Sequence, residues 1–310
     1  MDGGRGRPAD SGRMTLPALA EEVVTAYLRA VDDEAPGLVE GLYLEGSVAL
    51  GDFRPRTSDI DFVAVTATPP EGAATAALER VHERLLAHRP RPFFDGVYLT
   101  WDDLRRGPDI TGPRPRCHEG RFHPGTDGTA PAGPVTWRTL AGHGTTLRGP
   151  EPAGLDLWHD PRALAVWTDD NLDRYWRRLC DRASRPFGLW GQAALGGYGT
   201  VWIVTGVTRL HFTLATGDIT SKEGACRHAL EAFPPRWHRV VEEALRIRRA
   251  DRALPTLTGL LGDMTEFLPS GSGRERRSLY RTPWARRRDV LAFAGTVIAD
   301  AHRLHAGRPG

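Results

Sequence analysis

Two aspartates separated by one apolar residue, Asp59-Ile60-Asp61, carry the sharpest chemical signal in the chain. On a strand, residues two apart project from the same face. The spacing therefore sets the carboxylates side by side and turns Ile60 to the core. Adjacent carboxylates repel unless a cation lies between them, and Mg²⁺ is commonly held by one or two carboxylates together with substrate phosphates. Upstream, Leu42-Tyr43-Leu44 reads as a buried strand, followed at once by Gly46-Ser47. Gly46 has no Cβ to keep a ligand away from the backbone. Ser47 adds a hydroxyl, and the N–H groups after it can form an anion-binding nest or a helix N-terminus. The stretch reads as a seat for a triphosphate beside a seat for a cation.

The surrounding pattern supplies the elements that must hold these groups. Residues 15–31 place Leu19, Val23, Val24, Tyr27 and Leu28 at helical spacing, which predicts an amphipathic helix beside the first strand. Pro69-Pro70 ends the aspartate strand, and residues 71–88 repeat the helical pattern. Residues 93–101 read as another strand, with Asp95 early in an otherwise apolar run. Residues 105–134 are rich in Pro, Gly and Arg without periodicity and read as a long loop over the site. Within it, Cys117-His118-Glu119 and His123 offer metal-ligating side chains, but not in the paired spacing that zinc sites use, so a metal role is not expected. Residues 135–145 read as a helix and 146–150 as a short closing strand. After the Pro/Gly-rich stretch 149–154 the character changes. Asp160-Pro161 starts a helix, and further helical patterns follow at 197–215, after Ser221, at 234–249 and at 283–305. With no strand-like alternation, this half is expected to be a helical bundle.

Composition narrows the class. A chain of 310 residues, 40% hydrophobic and with nine Trp, can bury two cores of ordinary size. The net charge of +2 argues against bulk binding to nucleic acid or an anionic membrane. Three widely spaced cysteines, Cys117, Cys180 and Cys226, do not form a disulfide framework and fit a reducing cytoplasm. No signal peptide is read. The most apolar run, 201–214, is broken by Arg209 and His211 and is not a membrane span.

Gly46-Ser47, the loop, and Ser58-Asp59-Ile60-Asp61 followed by an apolar strand together resemble the signature of the nucleotidyltransferase superfamily related to DNA polymerase β. The resemblance implies an α/β (α+β) domain with a mixed sheet. It also implies a third carboxylate on the strand next to the paired aspartates, completing the metal site or taking the proton from the attacking hydroxyl. Asp95 is the candidate for that place. A second stretch, from Thr208-Arg209 through Thr216-Gly217 to Lys222-Glu223, resembles the helical C-terminal domain of the aminoglycoside (3'')(9) adenylyltransferases, the streptomycin/spectinomycin resistance enzymes. There an Arg on a long helix and a Lys after a Thr-Gly turn reach the ATP phosphates, and Arg209 and Lys222 occupy the matching positions. Arg can grip a phosphate with two parallel bonds while Lys acts as a point charge.

The resemblance runs along the whole chain and implies three segments: a disordered 1–14, a nucleotidyltransferase domain at 15–152 and an all-α domain at 153–310. The chemistry it implies is Mg²⁺-dependent transfer of AMP from ATP to a small-molecule hydroxyl, with an aminoglycoside as acceptor. The implied site has Asp59, Asp61 and Asp95 as catalytic and metal-binding acids, and Gly46, Ser47, Arg209 and Lys222 on the nucleotide. A cytoplasmic monomer without membrane or nucleic-acid partners is expected. Three departures bear on the acceptor. The third carboxylate is Asp where the resistance enzymes carry Glu. Residues 195–202 hold no acid to grip a cationic drug. The 105–134 loop and the tail from Arg274 follow no family pattern. Other acceptors therefore stay open (a metabolite, a protein or an RNA), as does a non-catalytic nucleotide-binding relative. The arginines at 274, 276, 277, 281, 286, 287 and 288 keep the RNA reading in view, although a solvated helix face is their expected role.

Overall fold

Short apolar runs buried on both faces make the central strands, and 3.6-residue periodicity makes the helices that cover them. The computed structural model describes residues 15–250 and 278–307. The segment 1–14 and Arg274, Arg276 and Arg277 lie outside the described residues. The first half runs α1 Ala18–Glu34, β1 Gly41–Glu45, α2 Gly46–Ala49, β2 Ile60–Thr66, α3 Ala73–His88, β3 Phe94–Thr100, α4 Trp101–Arg106, β4 Arg116–His118, β5 Arg121–His123, α5 Pro134–His143 and β6 Thr145–Arg148. The second half is helical: α6 Pro161–Asn171, α7 Arg178–Ala183, α8 Leu189–Ala193, α9 Gly197–Thr216, α10 Lys222–Ala232, α11 His238–Arg249 and α12 Pro283–Ala306.

The six strands form one mixed sheet in the order β5-β4-β3-β2-β1-β6. The β2–β3 pair is parallel and crosses over through α3, while the other pairs are antiparallel. Leu42, Leu44, Ile60, Phe62, Phe94 and Tyr98 pack from one face against α1 and α3. Burying the aromatic hydroxyl of Tyr98 requires partners. It has two, the Tyr27 hydroxyl at 2.8 Å and His82 Nε2 at 2.8 Å. Tyr43, Val63, Val65, Val97 and Leu99 face the other way, against Trp137 and Leu140 of α5. The residues of that second face continue, toward one end of the strands, into Glu45, Asp61 and Asp95.

The bundle is built around α9, against which α6, α10, α11 and α12 pack. At Gly206 a Cβ would lie 1.9 Å from the Trp176 ring, so only glycine lets that indole rest on the α9 backbone. The helix expected from 160 is interrupted by a π-helical turn at Leu172–Arg177, which aligns Leu172 and Trp176 with the core. Ser221 caps α10 by accepting from Gly224 N at 3.0 Å, as its position before the helix predicts.

Two expectations change. The 105–134 loop contains the β4–β5 hairpin, whose three-residue strands are too short to show alternation in the sequence. In the basic cluster, Arg286 and Arg287 do not form a solvated face. Arg286 is 0% exposed, donating to Leu195 O at 2.7 Å and to Glu243 at 3.2 Å, and Arg287 donates to Ala183 O at 3.0 Å. These arginines cap buried carbonyls and a buried acid, which polar-residue counting cannot separate from surface charge.

Candidate active site

β1 ends at Glu45 and the chain turns at once into the single helical turn α2. Gly46 takes φ +59°, and a Cβ there would meet Asp61 Oδ2 at 1.9 Å. Two constraints, left-handed backbone and close approach of a carboxylate, thus fix glycine at this position. Ser47 lies in the turn, its hydroxyl 3.4 Å from Asp59 O and its carbonyl accepting from Asp52 N at 2.8 Å. The loop that follows is braced by Arg54 N donating to Ser58 Oγ at 3.0 Å, and it delivers Asp59 to the start of β2.

The sheet register assembles the acids. Glu45 pairs with Asp61 across β1–β2, and Asp61 pairs with Asp95 across β2–β3. Directly paired residues face the same way, so Glu45, Asp61 and Asp95 form one row across three strands, with Asp59 two residues from Asp61 on the same side. Asp95 is oriented by the β4–β5 turn, accepting from Glu119 N at 2.7 Å and Gly120 N at 2.9 Å. Asp59 accepts from Arg91 Nη1 at 3.2 Å. Enclosure and mutual repulsion disfavour ionisation. Burial, then the charges of Asp59 and Asp95, push Asp61 up to about 7. Burial, then Asp61, pushes Glu45 up to about 8. Asp59 is also raised, by burial and then by Asp95, against the pull of Arg91.

Cations from the bundle face this row. Arg209 projects from α9 and Lys222 is the first residue of α10. Burial, then Arg209 and Arg248, bring the Lys222 ammonium down to about 8, and Arg209 is lowered chiefly by burial. Like charges held together at a helix N-terminus are unfavourable until an anion joins them. All seven residues singled out in the sequence, Gly46, Ser47, Asp59, Asp61, Asp95, Arg209 and Lys222, line one cavity of about 430 Å³ between sheet and bundle. Arg116, His118 and Trp202 also line it, and Tyr198 stacks on Trp202 with ring centroids 6.0 Å apart.

Two residues of this cleft escaped the sequence reading. Glu45 lines the cavity with Oε2 buried and unpartnered. Its alternation with Tyr43 was visible, but its register opposite Asp61 was not. Arg248, near the end of α11, also lines the cavity, and it pairs with Asp52 at 2.8 Å. Asp52 in turn accepts from Glu223 N at 3.1 Å, and Glu223 pairs with Arg54 at 2.7 Å, so the loop after Ser47 is tied to α10 and α11.

The donor set suits a hard divalent cation: carboxylate oxygens in a row, one of them without a partner, with a Gly46 cradle that any side chain would fill. Among the described residues, no three His, Cys, Asp or Glu side chains form a ready metal cage. No described helix is long and apolar enough to cross a membrane.

Residues 24–92 match the nucleotidyltransferase domain family, and residues 191–268 match the C-terminal domain of aminoglycoside adenylyltransferase. No curated protein matches the sequence significantly. Among solved structures, the chain is similar to the spectinomycin adenyltransferase AAD(9) from Enterococcus faecialis, solved with ATP and spectinomycin. The identity is 13% and the TM-score 0.51, covering 90% of this chain and 99% of that one.

Proposed function

We propose that this chain, a nucleotidyltransferase resembling the aminoglycoside adenylyltransferases, transfers AMP from ATP to a hydroxyl of a small molecule, with an aminoglycoside as the acceptor class and antibiotic resistance as the consequence. The observation that carries the reading is the in-register acid row facing Arg209 and Lys222 across one cleft. The reading treats 15–152 as the catalytic domain and 153–310 as the helical domain that closes the cleft.

The residues divide the work. The Gly46-Ser47 turn and the N–H groups of α2 receive the phosphates, with Arg209 and Lys222 neutralising the pyrophosphate as it leaves. Asp59 and Asp61 would hold Mg²⁺, which would supply charge neutralisation at the phosphates. Asp95 keeps lone pairs beyond the two N–H bonds that orient it, and it directs the acceptor hydroxyl and receives its proton. The acceptor oxygen forms a bond to the α-phosphorus as the bond to pyrophosphate breaks. Holding both reactants in line supplies much of the rate. The acceptor enters beside Asp95, past Trp202 and Tyr198, whose ring faces suit the flat apolar faces of a sugar or cyclitol.

The test is mass spectrometry of reactions with ATP, Mg²⁺ and a panel including streptomycin and spectinomycin, with pyrophosphate followed in parallel and Asp59→Asn as control. One drug gaining a single AMP only with the intact aspartate is expected. ATP binding with no adenylylated drug would remove the aminoglycoside and leave the nucleotidyl chemistry to another acceptor.

A further inference from the structure

We propose that Arg248 is a third phosphate-gripping cation of this cleft, held in position by Asp52. The inference rests on the nucleotidyltransferase reading and adds a residue to it. The Arg248 side chain is 3% exposed, yet it lines the cavity together with Arg209 and Lys222. One end of the guanidinium is anchored: Nη2 donates to Asp52 O at 2.9 Å and pairs with Asp52 Oδ2 at 2.8 Å. Its Nε is buried without a partner. An unmet buried donor is costly, and in Arg248 it belongs to a side chain that borders the cavity and so has a ligand within its reach. The unpartnered carboxylate oxygen of Glu45 lines the same cavity, and neither group serves the other.

The charge pattern points the same way. Arg248 weighs against the charged form of both Lys222 and Arg209, so three cations sit close enough to repel. Asp52 offsets one of them, and it is already shared with Glu223 N at the start of α10. A polyphosphate is the anion that accepts from several donors at once and removes the repulsion. Asp52 also donates its own N–H to Ser47 O at 2.8 Å, so the carboxylate that aims Arg248 belongs to the loop that forms the phosphate-binding turn. Arg248 is thereby set toward the phosphates, and pre-orientation of its planar fork lowers the entropy of the grip.

The experiment titrates the full chain with three probes: a non-hydrolysable α,β-methylene ATP analogue with Mg²⁺, inorganic tripolyphosphate, and AMP. Arg248→Gln is expected to weaken the analogue and tripolyphosphate by roughly 10- to 100-fold while AMP affinity holds. Arg248→Lys, which keeps the charge and loses the fork, is expected to fall between. Unchanged tripolyphosphate affinity in either folded variant overturns the proposal. So does an equal loss for all three probes with a lowered melting temperature in both variants, which marks Arg248 as a structural bridge only. If the unsubstituted protein binds neither the analogue nor tripolyphosphate, the nucleotidyltransferase reading fails, and this inference with it.

Discussion

Two enclosed glutamates in this molecule have opposite surroundings. Glu243 in the bundle is 0% exposed. It accepts from Arg246 Nε at 2.8 Å, Ser278 Oγ at 2.6 Å, Leu279 N at 3.0 Å and Arg286 Nη1 at 3.2 Å. Burial would raise its carboxyl, but those donors outweigh burial and hold it down to about 2. Glu45 at the end of β1 has a buried oxygen with no donor and is pushed up to about 8 by burial and then by Asp61. In the bundle the protein pairs its own buried charge, and the charge becomes part of the fold. In the cleft Glu45 and Asp61 crowd one wall and cations line the other, and their pairing is left to a ligand. That difference separates structural ionisable groups from site groups more sharply than burial alone does.

If the comparison is right, removing a charge from the two regions has different consequences. Asp61→Asn should lower AMP transfer by about a thousand-fold or more, since it removes the acid that both touches Gly46 and centres the row. Its melting temperature should stay level or rise, because one of several repelling carboxylates has gone. A large loss of stability with the loss of activity would break the comparison. Glu243→Ala should do the reverse for folding, costing roughly 3–5 kcal/mol in urea denaturation, because Arg286 is left buried beside an empty place. Substrate affinity in whatever fraction stays folded should be near that of the unsubstituted protein.

The site was legible in the sequence where chemistry and local spacing coincide. Asp59-Ile60-Asp61 needs only the two-residue period of a strand, and Gly46-Ser47 needs only a strand before it, so both could be placed before any packing was known. Arg209 and Lys222 were reached through family resemblance, since nothing in their local sequence distinguishes them from solvated cations. Glu45 and Arg248 were missed for a common reason: their surroundings are set by partners far away in the chain. Glu45 meets Asp61 through register, and Arg248 meets Asp52 from 196 residues away. The same limit hid the β4–β5 hairpin that orients Asp95 and the burial of Arg286 and Arg287. In the fold, long periodic helices such as α3, α9 and α12 were placed to within a few residues, while three-residue strands gave no period to read.

The smallest expected effect sharpens the comparison most, because it assigns opposite signs to the two acids. A carboxyl raised in the folded state binds a proton that the unfolded chain has already lost, so its contribution to stability falls as pH rises between the two values. For Glu45 that window runs from the ordinary 4.5 to about 8. Asp61 adds to the same slope from 3.8 to about 7. A carboxyl lowered in the folded state behaves oppositely, and Glu243 loses its contribution as pH falls from 4.5 toward about 2. Without metal or nucleotide, Glu45 and Asp61 therefore pull the melting temperature down as pH rises above 5, against His82, which burial lowers to about 4 and which adds stability as pH rises to 6.5. Glu45→Gln removes part of the upper slope. The variant should match the unsubstituted protein near pH 5 and exceed it by about a few degrees at pH 8. Glu243→Gln should leave the upper slope unchanged and flatten the lower one. Mg²⁺ with the non-hydrolysable ATP analogue should shrink the gap between Glu45→Gln and the unsubstituted protein at pH 8, since the ligand then offsets the crowded charge. An upper slope that is the same in Glu45→Gln and in the ligand-free unsubstituted protein would mean that Glu45 is paired after all, and the two regions would then treat their acids alike.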